Sequence, residues 1–159
     1  MKIVVGISDM KVSNKPEDSI ITYSLGSCIG VAIWDPVSKV GGLLHYMLPD
    51  SNLDKERAAQ KPFMFADSGI PLLFKEAYKY GGVKNRLIVK AVGGSQIMDT
   101  KGVFNIGKRN YMIMRKIFWK NKILIAKEDI GGTVNRTISL DIATGVTTLK
   151  VSGQGVYEL

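Results

Sequence analysis

Cys28-Ile-Gly-Val-Ala-Ile-Trp-Asp-Pro-Val-Ser-Lys-Val-Gly-Gly-Leu-Leu-His45 reads as two apolar strands and the turn that joins them. Asp35 can hydrogen-bond within its own turn, and Pro36 holds φ near the value that the second position of a type I turn needs. With Asp35 and Ser38 flanking the turn, the strands run from Cys28 to Trp34 and from Lys39 to His45, and Cys28 is predicted to lie opposite His45. Directly opposed residues bring their Cβ atoms to roughly 4.5–5.5 Å, which places a thiol within reach of an imidazole. These are the only cysteine and the only histidine in the chain. Register decides the matter, because a slip of one residue would turn the two side chains to opposite faces.

Both faces of this hairpin are apolar, with Ile29, Val31 and Ile33 on one side and Ala32, Trp34 and Leu43 on the other. A sheet covered above and below is therefore expected. Outward from it, residues 2–12 read as one strand, 15–18 as a loop, and a further strand begins at Ile20 and ends at the Leu25-Gly26-Ser27 bend. The polar stretch 51–62 reads as an exposed loop able to act as a flap. Ile70, Leu73, Phe74 and Ala77 recur at helical spacing over 66–80, and Gly81-Gly82 ends that helix. Leu87–Val92 is a strand. A second helix over 108–119 turns Met114, Ile117 and Phe118 inward, and 105–110 reads as its entry with Gly107 near the cap in preference to a source of amide groups for a substrate groove. Strands at 123–126, 137–142 and 146–151 complete an α/β (α+β) domain spanning 1–159, a layered sandwich with a mostly antiparallel sheet flanked by helices.

A chain of 159 residues with 45% hydrophobic content can bury a proper core. One cysteine excludes an internal disulfide and a thiolate zinc site, so a reducing setting is natural, and neither a metal nor a cofactor is called for. The uncharged run 19–34 is shorter than the roughly 20 residues of a spanning helix, and it contains serine, threonine and glycine. With no secretory pattern at the N-terminus either, the expected location is the cytoplasm, with no membrane insertion. Twenty-two Lys and Arg against 14 Asp and Glu leave a net charge of +8, scattered apart from a concentration over 108–122. That segment reads as a solvated helix face. Without a recognised module or an aromatic stacking pattern, nucleic acid is not the expected partner. The glycine pairs 93–94 and 131–132 lack the Lys-Ser or Lys-Thr of a phosphate loop and read as turns.

A cysteine beside a histidine can attack carbonyl carbon as a thiolate, with the proton held on an imidazolium. The tetrahedral oxyanion then needs preorganised donors, and the bend Gly26-Ser27-Cys28 offers backbone N–H groups for it. A third group must fix the ring plane. Thr22, on the preceding strand, is a candidate through its hydroxyl or its carbonyl, although spacing alone makes it a plain β-branched strand residue.

Thr22-Tyr-Ser-Leu-Gly-Ser-Cys28, Asp35-Pro36, His45-Tyr-Met-Leu-Pro49, Gly93-Gly94, Asn105-Ile-Gly-Lys-Arg-Asn110, Glu128-Asp-Ile-Gly-Gly132 and Arg136-Thr-Ile-Ser-Leu-Asp141 resemble, in order along the chain, the CheD family of chemoreceptor glutamine deamidases. The resemblance implies that Cys28, His45 and Thr22 form the catalytic set. It also implies a layered fold similar to the catalytic domain of cytotoxic necrotizing toxins, chemoreceptor cytoplasmic helices as substrate, and a CheC-type phosphatase as a possible partner. Tyr23, Ser24 and Ser95 depart from the residues usual at their places and bear on substrate preference. A non-catalytic adaptor that binds receptor or phosphatase is the rival expectation, followed by a transglutaminase using the same thioester. The positive charge suits acidic receptor helices, so association is expected to slow as salt rises.

Overall fold

The structure is a computed structural model that describes residues 1–97 and 104–159. Among the described residues, ten strands and three α-helices follow in chain order: β1 (Lys2–Val4), β2 (Asp9–Ser13), β3 (Ser19–Leu25), β4 (Ile29–Asp35), β5 (Val40–Tyr46), α1 (Lys55–Gln60), α2 (Ala66–Lys79), β6 (Ile88–Gly93), α3 (Ile106–Lys120), β7 (Ile125–Ile130), β8 (Arg136–Asp141), β9 (Thr147–Val151) and β10 (Gly155–Glu158). They build an α+β arrangement of two mixed five-stranded sheets, ordered β1-β3-β8-β9-β10 and β2-β5-β4-β6-β7. One parallel pair occurs in each, β1 with β3 and β6 with β7.

The hairpin β4–β5 sits inside the second sheet and is buried almost throughout. Its odd-numbered β4 residues Ile29, Val31 and Ile33 pack with Leu44 and Tyr46 against Ile70, Leu73 and Phe74 of α2 and Met114 and Phe118 of α3. Its other face, with Ala32 and Leu43, packs on Ile20, Ile138, Leu140 and Leu149 of the first sheet. The two-sided cover therefore consists of helices above and a second sheet below. The expectation of helices flanking one sheet on both sides is corrected: α2 and α3 share a single face.

Three further boundaries differ from the sequence reading. The strand expected over 2–12 is two strands in different sheets, because the chain crosses between layers at 5–8, where Ser8 takes a positive φ of 60°. The loop expected over 51–62 contains α1, whose six residues bury nothing and whose start is held by the Asp54 carboxylate accepting from the Arg57 N–H. Strand β10, exposed along its whole length, was not expected. Asn105 does occupy the cap position of α3, at φ 49°, but without a side-chain bond to the first turn. Gly107 serves another purpose: a Cβ there would lie 2.4 Å from the Ser95 carbonyl oxygen and 2.5 Å from that of Gly94, so only glycine lets α3 press on this loop.

Candidate functional site

The site grows from the hairpin register. The Asp35 carboxylate accepts from the Val37 and Ser38 N–H groups, as its turn role requires, but the Lys39 N–H closes the turn on the Asp35 carbonyl at 2.9 Å with Lys39 at φ 58°. Lys39 therefore belongs to the loop. Val40 faces Asp35, and the residue opposite His45 is Gly30 rather than Cys28. The expected pairing is thus corrected by a shift of two residues, and an even shift preserves the face. His45 lies on the inter-sheet side with Leu43, and Cys28 packs into that same inter-sheet cluster. Continued one step past its last pair at Ile29 and Tyr46, the register puts Cys28 diagonal to His45 instead of directly opposite.

Asp35 also anchors the far end of the hairpin. Burial works to raise its pKa, but the Arg86 guanidinium at 2.9–3.1 Å and three backbone N–H donors hold the carboxyl down at about 2.

His45 is 1% exposed, and its Nδ1 lies 2.8 Å from Thr22 Oγ1, across the gap between the sheets. The Thr22 hydroxyl donates its one hydrogen to the Val5 carbonyl oxygen, also at 2.8 Å. It can therefore only accept from the ring, which places the imidazole hydrogen on Nδ1 and leaves the lone pair on Nε2. Among the described residues, that Nε2 is buried and has no hydrogen-bond partner. A buried ring nitrogen without a partner is costly in a folded protein.

Cys28 is half-buried, and burial pushes its thiol up to about 11, opposed by its own backbone N–H, which points at the sulfur. Burial likewise pushes His45 down to about 4. The thiolate–imidazolium pair expected from the sequence is consequently not the resting state. Both groups rest neutral near pH 7, because burial disfavours the charged form of each.

These shifts set a pH dependence of stability. The His45 folded pKa lies below its unfolded one, so its contribution is complete above about 6.5 and is lost as pH falls toward about 4. The Cys28 folded pKa lies above its unfolded one, so its contribution is complete below about 9 and is lost as pH rises toward about 11. Urea unfolding should therefore show a plateau between these limits with an acid limb of about 3 kcal/mol from His45. His45→Gln should flatten that limb between pH 6.5 and 4. An unchanged limb in this variant would assign the loss to other groups.

The bend Gly26-Ser27-Cys28 is held from three sides. The Gly26 carbonyl accepts from the Ser95 N–H and the Cys28 carbonyl from the Gly94 N–H, each at 2.9 Å. The Ser27 carbonyl accepts from Asn110 Nδ2 at 2.9 Å. Gly93, at φ 120°, passes so close that a Cβ would lie 2.1 Å from the Cys28 carbonyl oxygen. Behind this loop, the buried Arg136 side chain donates to Asp129 at 2.8–2.9 Å, to the Gly93 and Gly131 carbonyls and to Ser95 Oγ. The two glycine pairs read as turns from sequence are thus brought together on the nucleophile side of the site, with the Gly131 N–H donating to the Gly93 carbonyl.

Arg136 and Asn110 enter the sequence reading only as ends of motifs that carry the family resemblance, with no role at the site. For Asn110 a signal existed: it is the one polar side chain in the inward stripe Gly107, Asn110, Met114 and Phe118 of α3.

Among the described residues, no helix is long and apolar enough to cross a membrane.

Comparison with known proteins shows the family. The family model described as "CheD chemotactic sensory transduction" matches residues 47–151. The chain is similar to the "Probable chemoreceptor glutamine deamidase CheD 1" of Syntrophus aciditrophicus, 55% identical over 157 residues, covering 99% of this chain and 98% of the relative. It is also similar to the "Probable chemoreceptor glutamine deamidase CheD" of Solibacter usitatus, 49% identical over 96% of this chain and 90% of the relative. A third relative, "Probable chemoreceptor glutamine deamidase CheD 2" of Anaeromyxobacter dehalogenans, is 43% identical over 96% of each chain. The family model begins beyond His45, but these relatives align over nearly the whole chain, Thr22, Cys28 and His45 included within its span. With a family model over more than half its length and relatives this similar from end to end, the chain belongs to the CheD family.

Proposed function

We propose that the protein is a protein-glutamine amidohydrolase of chemotaxis that converts glutamine side chains of chemoreceptor cytoplasmic helices to glutamate, with Cys28, His45 and Thr22 as its working set. The observation that carries the reading is the His45 ring: its hydrogen is fixed on Nδ1 by Thr22, and its bare Nε2 lies on the same inter-sheet face as the chain's one thiol.

In this mechanism, Cys28 Sγ attacks the carboxamide carbon while its proton passes to His45 Nε2. The C=O π electrons move to oxygen, and the oxyanion is met by the Cys28 N–H and the neighbouring Gly26-Ser27 bend. His45 returns the proton to the amide nitrogen, the C–N bond breaks, and ammonia leaves a thioester on Cys28. A water then gives its proton to Nε2 and attacks the thioester. Collapse releases the glutamate side chain and restores the thiol. No cofactor enters any step.

The fold serves this sequence of steps as one domain in the cytoplasm, where the receptor helices lie, and a CheC-type phosphatase is a further partner. A cleft of about 360 Å³ lined by Gly94, Asn105, Lys108 and Gly132 opens beside the Cys28 loop, with neither Cys28 nor His45 in its lining.

Incubation with a purified receptor fragment should add about 1 Da per modified glutamine and release ammonia. An unchanged fragment mass would refute the reading, and a crosslinked one would favour a transglutaminase. Thr22→Val keeps shape and removes the hydroxyl, so the ring loses its tautomer restraint. The turnover number should fall by about 10–100-fold, with folding retained. Wild-type turnover in Thr22→Val would deny Thr22 its role.

A further inference from the structure

Helix α3 carries an amide where its inward stripe otherwise carries packing residues. Asn110 is fully buried between Gly107 and Met114, and its Nδ2 donates to two carbonyls, that of Ser27 at 2.9 Å and that of Met47 at 2.8 Å. Ser27 precedes Cys28 in the chain, and Met47 lies two residues beyond His45. One nitrogen therefore ties the strand end that bears the thiol to the strand end that bears the imidazole. From the hairpin, the Tyr46 hydroxyl donates at 2.7 Å to the Asn110 backbone carbonyl, so helix and hairpin hold each other reciprocally. Among the described residues, Asn110 Oδ1, equally buried, has no partner. A side chain present for packing alone would not strand an acceptor, since an apolar residue of the same volume avoids that cost. What the apolar residue cannot supply is two donors on one atom, which serine and threonine also lack and lysine supplies only with a charge.

We infer that Asn110 is a positioning residue that sets the distance between Cys28 and His45 by clamping the backbone beside each. The need for such a clamp follows from the register: His45 is held within the hairpin ladder opposite Gly30, whereas Cys28 lies beyond its last rung at Ile29 and Tyr46, so this ladder does not fix Cys28 relative to His45. The assignment to catalysis rests on the deamidase reading; the clamp does not.

The test uses Asn110→Ala and Asn110→Leu, the second keeping the volume while removing both donors. The turnover number on a receptor fragment should drop about 100-fold with KM within about twofold, the expected cost of a misplacement near 1 Å. Iodoacetamide alkylation of Cys28 reads the pair without any receptor. In the wild type, His45→Gln should slow alkylation, whereas in the Asn110→Ala background the same change should add nothing, since a pair already separated has no coupling left to lose. Wild-type turnover in either folded variant, or alkylation losses that multiply independently, would overturn the assignment. Failure of both variants to fold would overturn it too, by making Asn110 a folding determinant. Should the wild type leave the receptor unchanged while Asn110→Ala still abolishes the His45 effect on alkylation, the clamp stands and the deamidase reading falls. Should the wild type deamidate and Asn110→Ala match it, the clamp alone falls.

Discussion

Cys28→Ala should yield a folded protein that releases no ammonia from receptor, a loss of about 10³-fold or more in turnover. The thiol is half-buried at the edge of the inter-sheet cluster, so its removal costs little packing and the variant should unfold near the wild-type urea midpoint. His45→Gln should lose nearly as much, because Nε2 both accepts the thiol proton and returns it to the leaving nitrogen. With the thiol held up at about 11, few molecules carry a thiolate near neutral pH without that base. The two losses should not multiply: Cys28→Ala with His45→Gln should match Cys28→Ala alone, the behaviour of groups that act as a unit. Ammonia release measured with a coupled assay distinguishes these outcomes. Retained turnover in Cys28→Ala would remove the nucleophile from the account.

The second large effect is structural. Gly93→Ala should destabilise the protein by about 3–5 kcal/mol, the sum of a positive-φ penalty and an overpacking one. The added Cβ would meet the Cys28 carbonyl oxygen at 2.1 Å, backbone that cannot swing aside. Gly153 provides the control, since its φ is also positive, at 74°, but a Cβ there meets nothing within 4 Å. Gly153→Ala should therefore cost only the strain, about 1 kcal/mol. Equal urea midpoints for the two variants would show that the close approach at Gly93 is not what holds the Cys28 loop. Folded Gly93→Ala should also turn over poorly, because relief of the clash moves the nucleophile.

The hairpin, its two apolar faces and both long helices were legible because each is written in local periodicity and punctuation. Asp35-Pro36 announced the turn correctly, and the Asp35 carboxylate caps it as expected. Turn length was not legible, since Lys39 adopts a left-handed conformation that its side chain does nothing to advertise. The proposed pair still shares a face through parity: a shift of two residues keeps Cys28 and His45 on one side, where a shift of one would have parted them.

Layering was harder to read. Apolar patterning shows that a strand face is covered but not by what, so a second sheet and a helix layer look alike from β4 and β5. The split of 2–12 into β1 and β2 likewise depends on Ser8 taking a positive φ, an arrangement fixed by tertiary packing. Strand β10 and helix α1 escaped because they bury no residue and so leave no hydrophobic period. At the site, the sequence offered Thr22 as a ring-orienting group without saying which atom would serve. The hydroxyl does so, because its hydrogen is already committed to the Val5 carbonyl. The resting charge state was misjudged for a physical reason: neighbouring residues suggest an ion pair, whereas burial, invisible in a sequence, favours two neutral partners.

The central claim is that Cys28 becomes acylated by a receptor glutamine. It is tested most directly by hydroxylamine interception of the reaction, followed by mass spectrometry of both partners. The account predicts a thioester adduct on the Cys28 peptide that hydroxylamine removes, with a hydroxamate left at the modified receptor position. A receptor that becomes deamidated while Cys28 never carries an acyl group would contradict it.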